Sequence, residues 1–211
     1  MNSELRNLLD RMTVKETVTN SDQSQSWHAH REAERLVDNT YIEELDVLLS
    51  VSKSKDERRA AYFILGAIGA NTGAVRCAEI LLKRVDFEKD KYVLSSLLDS
   101  FSKIDKPADI SLDAIFRLLD EPRWLVRHSA IRSLRNTNSP AAEDYILAHL
   151  LKTDSPFDVT YCHSTLNQIG SLRSIPQISK SVGSRKRDVK ISAEAAIRSI
   201  QMRNDKSSNE L

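Results

Sequence analysis

One helical pattern recurs five times along the chain and limits what it can fold into. Counting Glu57 as position 0, small or apolar residues stand at positions 3, 4, 8 and 11, and a glycine follows at position 12. At 3.6 residues per turn, positions 0, 4, 7, 8 and 11 lie on one side of a helix. The pattern starts again at Val93, Val126, Asp158 and Val189, at spacings of 36, 33, 32 and 31 residues. Such a period predicts stacked structural units.

Positions 4, 8 and 11 predict a buried stripe in every repeat. Only Thr137, among the fifteen residues at these positions, is neither small nor apolar. We therefore expect Ala61, Ala130 and Ala193 to be buried against neighbouring helices. Gly69 is expected to end the first repeated helix, because glycine adopts the left-handed cap conformation without steric cost.

A second helix precedes each repeated helix, which predicts five helix pairs. All five prolines fall at predicted helix boundaries, where proline is tolerated, whereas inside a helix it costs about 3 kcal/mol. We predict an all-α fold without strands, a right-handed α-α superhelix (solenoid) of about five helix pairs. Residues 1–40 form N-terminal capping helices, 41–202 the repeats and 203–211 a flexible tail. The predicted first helices are 41–49, 74–85, 110–119, 142–151 and 176–182.

The repeats resemble the HEAT repeat in its short bacterial form, the type found in phycobilisome lyases. The resemblance rests on an acidic or proline-containing turn, a following Arg, small residues and a Leu-Gly-x-Ile-Gly ending. It covers about residues 40–201 and implies a helical solenoid, whereas fold alone does not imply function. The signatures of ankyrin and tetratricopeptide repeats are missing. The best matches are residues 58–69 and 121–130, and those at 158–170 and 188–193 are looser.

Charge and cysteine content place few limits on function. The 211 residues carry a formal net charge of +1, but residues 1–57 carry −5 and residues 171–211 carry +5, so one end of the chain favours an acidic partner surface. Cys77 and Cys162 lie on apolar helix faces and are predicted to be buried free thiols in a reducing compartment. We expect no signal peptide, no membrane span and a cytoplasmic protein.

The repeated helices are predicted to line a concave inner face. Positions 2, 5, 6 and 9 point away from the buried stripe, and they mix arginines with aromatic and aliphatic side chains, as protein interfaces do. For Leu98 and Ile131 packing between adjacent units is an equally good interpretation. The predicted protein-binding residues are Arg59, Tyr62, Phe63, Leu98, Asp99, His128, Ile131, Arg132, Arg135, His163, Asn167 and Arg198.

Catalytic and cofactor signatures are missing from the sequence. The five histidines have no metal-binding spacing with the cysteines, and no phosphate loop or nucleophile elbow is present. Arg58 and Arg127, at position 1, are expected to hold a preceding carboxylate or a helix-end carbonyl between units. We predict no catalytic residues, no metal and no cofactor. An exposed Trp124 would be a binding anchor, but covering an inter-unit seam is an equal alternative.

Three functions fit these features. The favoured one is a non-enzymatic protein-binding module, acting as an adaptor, an assembly factor or an inhibitor of the immunity type. The alternative is a nucleic-acid-binding protein related to HEAT-like DNA glycosylases, with contacts from Arg185, Lys186, Arg187 and Lys190. A weaker third candidate is a lyase or chaperone for a tetrapyrrole, which the resemblance to phycobilisome lyases implies. The sequence does not indicate an oligomeric state.

Overall fold

A computed structural model of the chain describes residues 1–107 and 109–209, with the backbone alone for residues 206–209. Within these residues, twelve α-helices and three short 3-10 helices form the structure and no strand is present. The predicted all-α fold is therefore confirmed. Contacts between Cα atoms divide the chain into two compact units, Met1–Lys106 (unit 1) and Pro107–Leu211 (unit 2).

Unit 1 contains two N-terminal helices and two helix pairs. Its helices are α1 (Ser3–Met12), α2 (Gln25–Ala33), α3 (Tyr41–Val51), α4 (Lys55–Thr72), α5 (Val75–Arg84) and α6 (Lys91–Phe101). Helix α4 packs on α3 and α5 and lies beside α6, as expected for consecutive pairs of a helical repeat. Helices α1 and α2 pack on each other and on α4, where Arg6 forms a 2.5 Å ion pair with Glu57. They occupy the place predicted for capping helices.

Unit 2 contains the remaining three helix pairs. Its helices are α7 (Asp113–Arg117), α8 (Trp124–Ser133), α9 (Pro140–Lys152), α10 (Pro156–Ile169), α11 (Ile175–Ser179) and α12 (Arg187–Asn209). Helix α10 packs against α8, α9 and α12. Prolines open α9 and α10 in their first turns, where the missing amide hydrogen would have no partner within the helix.

The predicted stripe forms the core of both units. Ala61, Ala130 and Ala193 have no exposed surface, and Leu97 and Cys162 at the same repeat position are equally inaccessible. Burial of such side chains removes apolar surface from water, which is the main driving force for packing the repeats. The register of the repeats predicted from the sequence is thereby confirmed.

Gly69 does not end α4, contrary to the prediction. The helix continues to Thr72, and the left-handed residue is Gly73, with φ 70°. Gly69 instead faces its neighbours, because a Cβ atom there would lie 2.7 Å from Cδ1 of Ile104 and 2.9 Å from Cβ of Cys77. A glycine in the repeat therefore permits close packing, and the cap lies four residues further on.

Some helix limits also differ from the prediction. The predicted helix at 110–119 is reduced to α7 and a 3-10 turn, Leu118–Asp120, and the one at 176–182 to the five residues of α11. Residues 203–209, predicted as a flexible tail, continue α12, and residues 210 and 211 lie outside the described residues. The polar composition of this end is compatible with a solvated helix. Such a helix has no apolar periodicity from which the sequence could predict it.

Candidate functional site

The arginine at repeat position 1 joins consecutive helix pairs in unit 2. Nε and an Nη atom of Arg127 donate to the carboxylate of Asp158 at 2.9 and 3.3 Å, and the other Nη donates to the Glu121 carbonyl at 2.6 Å. His128 and Thr153 contact the same carboxylate, at 2.6 and 3.1 Å. Burial would raise the pKa of Asp158, but Arg127 and His128 outweigh it and lower that pKa. The Asp158 carboxylate therefore joins α10 to α8 and contributes to the packing of unit 2.

Unit 1 contains the same arrangement. Nε and an Nη atom of Arg58 donate to Glu88 at 2.7 and 3.2 Å, and the other Nη donates to the Ser52 carbonyl at 3.2 Å. The hydroxyl of Tyr62 donates to the same carboxylate at 2.7 Å. In both units the arginine therefore holds a carbonyl six residues earlier, as the sequence predicted. The carboxylate that it holds belongs to the following helix pair, whereas the sequence predicted a preceding one.

Five of the predicted face residues are not available for binding. Tyr62, Leu98, His128, Ile131 and His163 are each 7% exposed or less. This contradicts the predicted exposure of Tyr62, His128 and His163, and for Leu98 and Ile131 it agrees with the alternative of packing between units. The reason is that a repeated helix such as α10 packs against other helices on three sides, whereas the sequence pattern predicts only one buried side. The side chains at position 5 in particular point toward an adjacent helix and pack there. They are Tyr62 of α4, Leu98 of α6, Ile131 of α8 and His163 of α10.

The predicted face residues of unit 1 are only partly accessible. Arg59 is exposed and donates to Ser96 at 3.1 Å, and Asp99 is half-buried. The ring of Phe63 lies between His30 of α2, at 5.1 Å between ring centroids, and the ammonium group of Lys103, at 4.6 Å. The N-terminal helices therefore cover part of the predicted face in this unit.

In unit 2, aromatic side chains connect α8 with α10. The rings of His128 and Tyr161 stack at 4.4 Å, and Trp124 tilts against His128 at 5.6 Å. The guanidinium group of Arg132 lies 5.5 Å from the centre of the Tyr161 ring and donates to its hydroxyl at 3.3 Å. Trp124 is 63% exposed. Buried His128 thus supports a large, accessible aromatic ring.

Helices α10 and α12 lie side by side and extend this surface. Asn167 donates to Ser199 at 3.0 Å, and His163 contacts Ser192 at 3.0 Å. On α12, Arg187, Ile191, Glu194 and Arg198 are separated by four, three and four residues, so they share one side of the helix. Arg187 and Arg198 are exposed, and Ile191 is 49% exposed.

We call these accessible residues the unit 2 inner face, which combines aromatic, aliphatic and cationic side chains on three adjacent helices. Two residues of the face, Phe157 and Tyr161, stand one turn apart on α10, and Phe157 is 69% exposed. The face comprises Trp124, Arg132, Phe157, Tyr161, Arg187, Ile191 and Arg198.

Phe157 and Tyr161 did not appear in the sequence prediction. The repeat pattern treats position 3, where Tyr161 stands, as part of the buried side, and it does not include residues before position 0. A signal was available there, because Tyr92 and Phe157 both directly precede position 0, and both are exposed at the start of a repeated helix. Trp124, one residue earlier in its repeat, is exposed and does not cover a seam.

A cleft of 400 Å³ lies beside this face, at the C-terminal ends of α8 and α10 and next to residues 199–203 of α12. Arg203 donates to the carbonyl groups of Asn167 and Gly170 at 2.5 and 2.7 Å, so its charge satisfies the end of α10. Arg135, half-buried nearby, donates to Ser164 at 2.5 Å. The cleft contains one predicted site residue, Asn167, and is lined by Asn136, Asn167, Gln168, Ser199, Met202 and Arg203.

The four cations predicted for nucleic-acid contact are exposed and lie close in sequence at the start of α12. Arg185 and Lys186 stand in the preceding turn, Arg187 begins the helix and Lys190 follows one turn later. Lys190 lies 3.9 Å from Glu194 on the same helix. The structure therefore places the four in one exposed segment at the α12 side of the unit 2 inner face.

The two thiols and His163 are buried. Cys77 and Cys162 are free and buried, as predicted, and burial raises the pKa of both thiols, that of Cys77 to about 11. Burial also lowers the pKa of His163 to about 4. Among the described residues, no group of three His, Cys, Asp or Glu side chains has a metal-binding arrangement, and no helix is long and apolar enough to cross a membrane.

Comparisons with known proteins inform the fold. No family model and no curated protein matches the chain. The structure is similar to the crystal structure of an engineered protein, with a TM-score of 0.50 and 18% sequence identity, over 96% of this chain and 98% of that chain. At this level of identity the similarity concerns the fold alone.

Proposed function

We propose that the chain is a non-enzymatic module with HEAT-like repeats that binds a protein partner through the unit 2 inner face. Trp124 carries most of the support, because it is 63% exposed while its ring lies against the stacked pair of His128 and Tyr161. A large aromatic ring held by a packed support loses little conformational freedom on binding, and such rings dominate binding energy at protein interfaces. An adaptor, an assembly factor and an inhibitor would all use such a face.

The absence of catalysis is part of the same proposal. Its support is that three side chains able to take part in catalysis are committed to packing: both thiols are buried with raised pKa values, and Asp158 is occupied by Arg127, His128 and Thr153. Repeated Arg contacts at position 1 in both units support HEAT-like repeats. Free thiols also support a reducing, cytoplasmic location.

Site-specific photo-cross-linking tests this function. p-Benzoylphenylalanine is introduced in place of Phe157, or in place of Tyr145 as a control, and the protein is irradiated in cells that express it naturally. Tyr145 is 46% exposed on α9, where it stacks on Phe116 of α7. We expect a discrete protein adduct from position 157 and none from position 145. Adducts that are equal at both positions, or missing at 157, would contradict the proposed face.

Nucleic-acid binding is the second candidate function, and the exposed segment Arg185–Lys190 supports it. Binding that depends on phosphate contacts weakens steeply with salt, since each neutralised phosphate releases counterions. The protein is titrated with duplex DNA and with single-stranded DNA at about 50 and about 200 mM salt, because binding through phosphate contacts weakens strongly between these two concentrations. A loss of about a hundredfold or more would support this function, whereas no binding at the lower salt would exclude it.

A further inference from the structure

The C-terminal part of unit 2 is strongly cationic. Residues 159–200 contain seven Lys and Arg and only two Asp and Glu. Helix α10 has one carboxylate of its own, on Asp158, which is 3% exposed and held by Arg127 and His128. The accessible side of α10 therefore has no negative charge of its own beside the cationic residues of α12.

The α12 side of the face alternates cationic and apolar groups. Arg187 and Arg198 are exposed at the two ends of one helix side, eleven residues and about 16 Å apart at 1.5 Å per residue. Ile191 lies between them, and so does Glu194, whose side chain is 40% exposed. A cation at each end and an aliphatic side chain inside match a ligand with separated negative charges and an apolar group.

We propose that the unit 2 inner face binds an acidic peptide segment of the partner, in which carboxylates flank an aromatic or aliphatic anchor. This inference rests on the proposed function and specifies its ligand. The carboxylates pair with Arg187 and Arg198, whose planar guanidinium groups fit a carboxylate in two-point contacts. The anchor packs on Phe157, Tyr161 and Ile191, where burial removes apolar surface from water.

Charge spacing favours a peptide over a nucleic acid on this face. Double-stranded DNA presents a charge about every 1.7 Å along its axis, so a binding surface gains from a continuous series of cations. Glu194 interrupts the series between Arg187 and Arg198, and it would repel a phosphate chain that followed the helix. A peptide can place its acidic residues at the two ends and leave Glu194 unopposed.

Selection from a random dodecapeptide library displayed on phage tests the inference directly, because it requires only the protein itself. The library is selected on the wild-type protein and counter-selected on the Phe157→Ala/Ile191→Ala variant. Both side chains are exposed, so the variant should keep the fold, which its circular dichroism spectrum checks. We expect enriched peptides with at least two Asp or Glu around an aromatic or aliphatic residue. Enrichment of basic peptides, or none at all, would overturn the inference.

The charges are then tested with one selected peptide and two double variants. We expect at least tenfold weaker binding to Arg187→Glu/Arg198→Glu. Binding to the matched control Lys152→Glu/Lys180→Glu should change less than threefold, because that control changes the net charge equally at exposed lysines elsewhere in unit 2. Equal losses in the two variants would show nonspecific attraction and overturn the proposed pairing.

The outcomes separate this inference from the proposed function. Cross-links to a protein from position 157 without selection of acidic peptides would overturn the ligand class and leave the face as a protein-binding site. Tighter binding of a 20-nucleotide oligothymidylate than of any selected peptide, abolished in Arg187→Glu/Arg198→Glu, would assign this face to nucleic acid instead. Failure of both the cross-linking and the selection would remove both proposals.

Discussion

Several polar contacts converge on Asp158 in unit 2. It is 3% exposed and accepts hydrogen bonds from Arg127 and Thr153 and contacts His128. The sequence predicted that Arg127 would hold a preceding carboxylate or a helix-end carbonyl, whereas the carboxylate that it holds lies in the following helix pair. It did not identify Asp158 as the partner, because the repeat pattern does not show which residue of the following pair lies beside Arg127.

Replacing Asp158 with Ala should destabilise unit 2 by about 3–5 kcal/mol, because Arg127 would remain partly buried without its partner charge. The free energy of unfolding is measured by urea denaturation followed by circular dichroism. Asp144→Ala provides the control, since Asp144 is 60% exposed and pairs with Arg173 at the surface. The control should change the free energy by less than about 1 kcal/mol. A small effect of Asp158→Ala would show that the ion pair is dispensable.

His163 should make stability depend on pH. Burial lowers its pKa from 6.5 to about 4, so between these values the unfolded chain binds a proton that the folded chain excludes. Stability should therefore be complete above pH 6.5 and decrease as the pH falls toward 4, by about 3 kcal/mol in total. The free energies of unfolding of wild type and His163→Asn are compared across this range.

The difference between the two proteins isolates His163 from other titrating groups. Asn retains a polar atom near Ser192, which His163 contacts at 3.0 Å. We expect the advantage of wild type over the variant to shrink steadily from pH 7 to pH 4. Parallel stability curves for the two proteins would contradict a neutral, buried His163.

At the scale of helices, the sequence predicted the buried residues more accurately than the accessible ones. The residues at position 4 are buried as expected, whereas the predicted exposure of Tyr62 and His163 at position 5 is wrong. A helical pattern shows the direction of the most apolar side but not how many neighbours surround the helix. Exposure of Trp124 and Phe157 depends on where the adjacent helices end, which lies outside the repeat pattern.

Gly66 should tolerate no side chain, because α4 and α6 approach closely there. A Cβ atom at Gly66 would lie 2.7 Å from Cβ and 3.0 Å from Cα of Ser100, so the two helices would have to separate. Overpacking of this kind costs about 1–3 kcal/mol, which outweighs the gain of at most about 1 kcal/mol from replacing a helical glycine with alanine. Gly66→Ala should therefore lower the free energy of unfolding measured in urea.

Gly183→Ala is the matched control, since a Cβ atom there meets nothing within 4 Å. We expect that variant to remain within about 0.5 kcal/mol of wild type. A Gly66→Ala protein as stable as wild type would show that α4 and α6 can separate without cost, and would contradict the close contact.

At the scale of the whole molecule, the repeat period predicted the all-α class and the helix order, and the structure confirms both. The residues of the proposed binding surface were predicted only in part. Arg132 and Arg198 belong to the unit 2 inner face, while Phe63 of unit 1 lies against His30 and Lys103. The N-terminal segment, which lies outside the repeats, covers Phe63. The repeat pattern contains no information about where that segment packs.

Trp124 fluorescence tests most directly whether the unit 2 inner face is the binding surface. In a Trp27→Phe protein, Trp124 is the only tryptophan. We predict that saturating selected peptide will shift its emission to shorter wavelength and reduce quenching by acrylamide at least twofold, as the bound segment covers the ring. Unchanged emission and quenching, with the peptide shown to be bound by calorimetry in the same solution, would contradict the account.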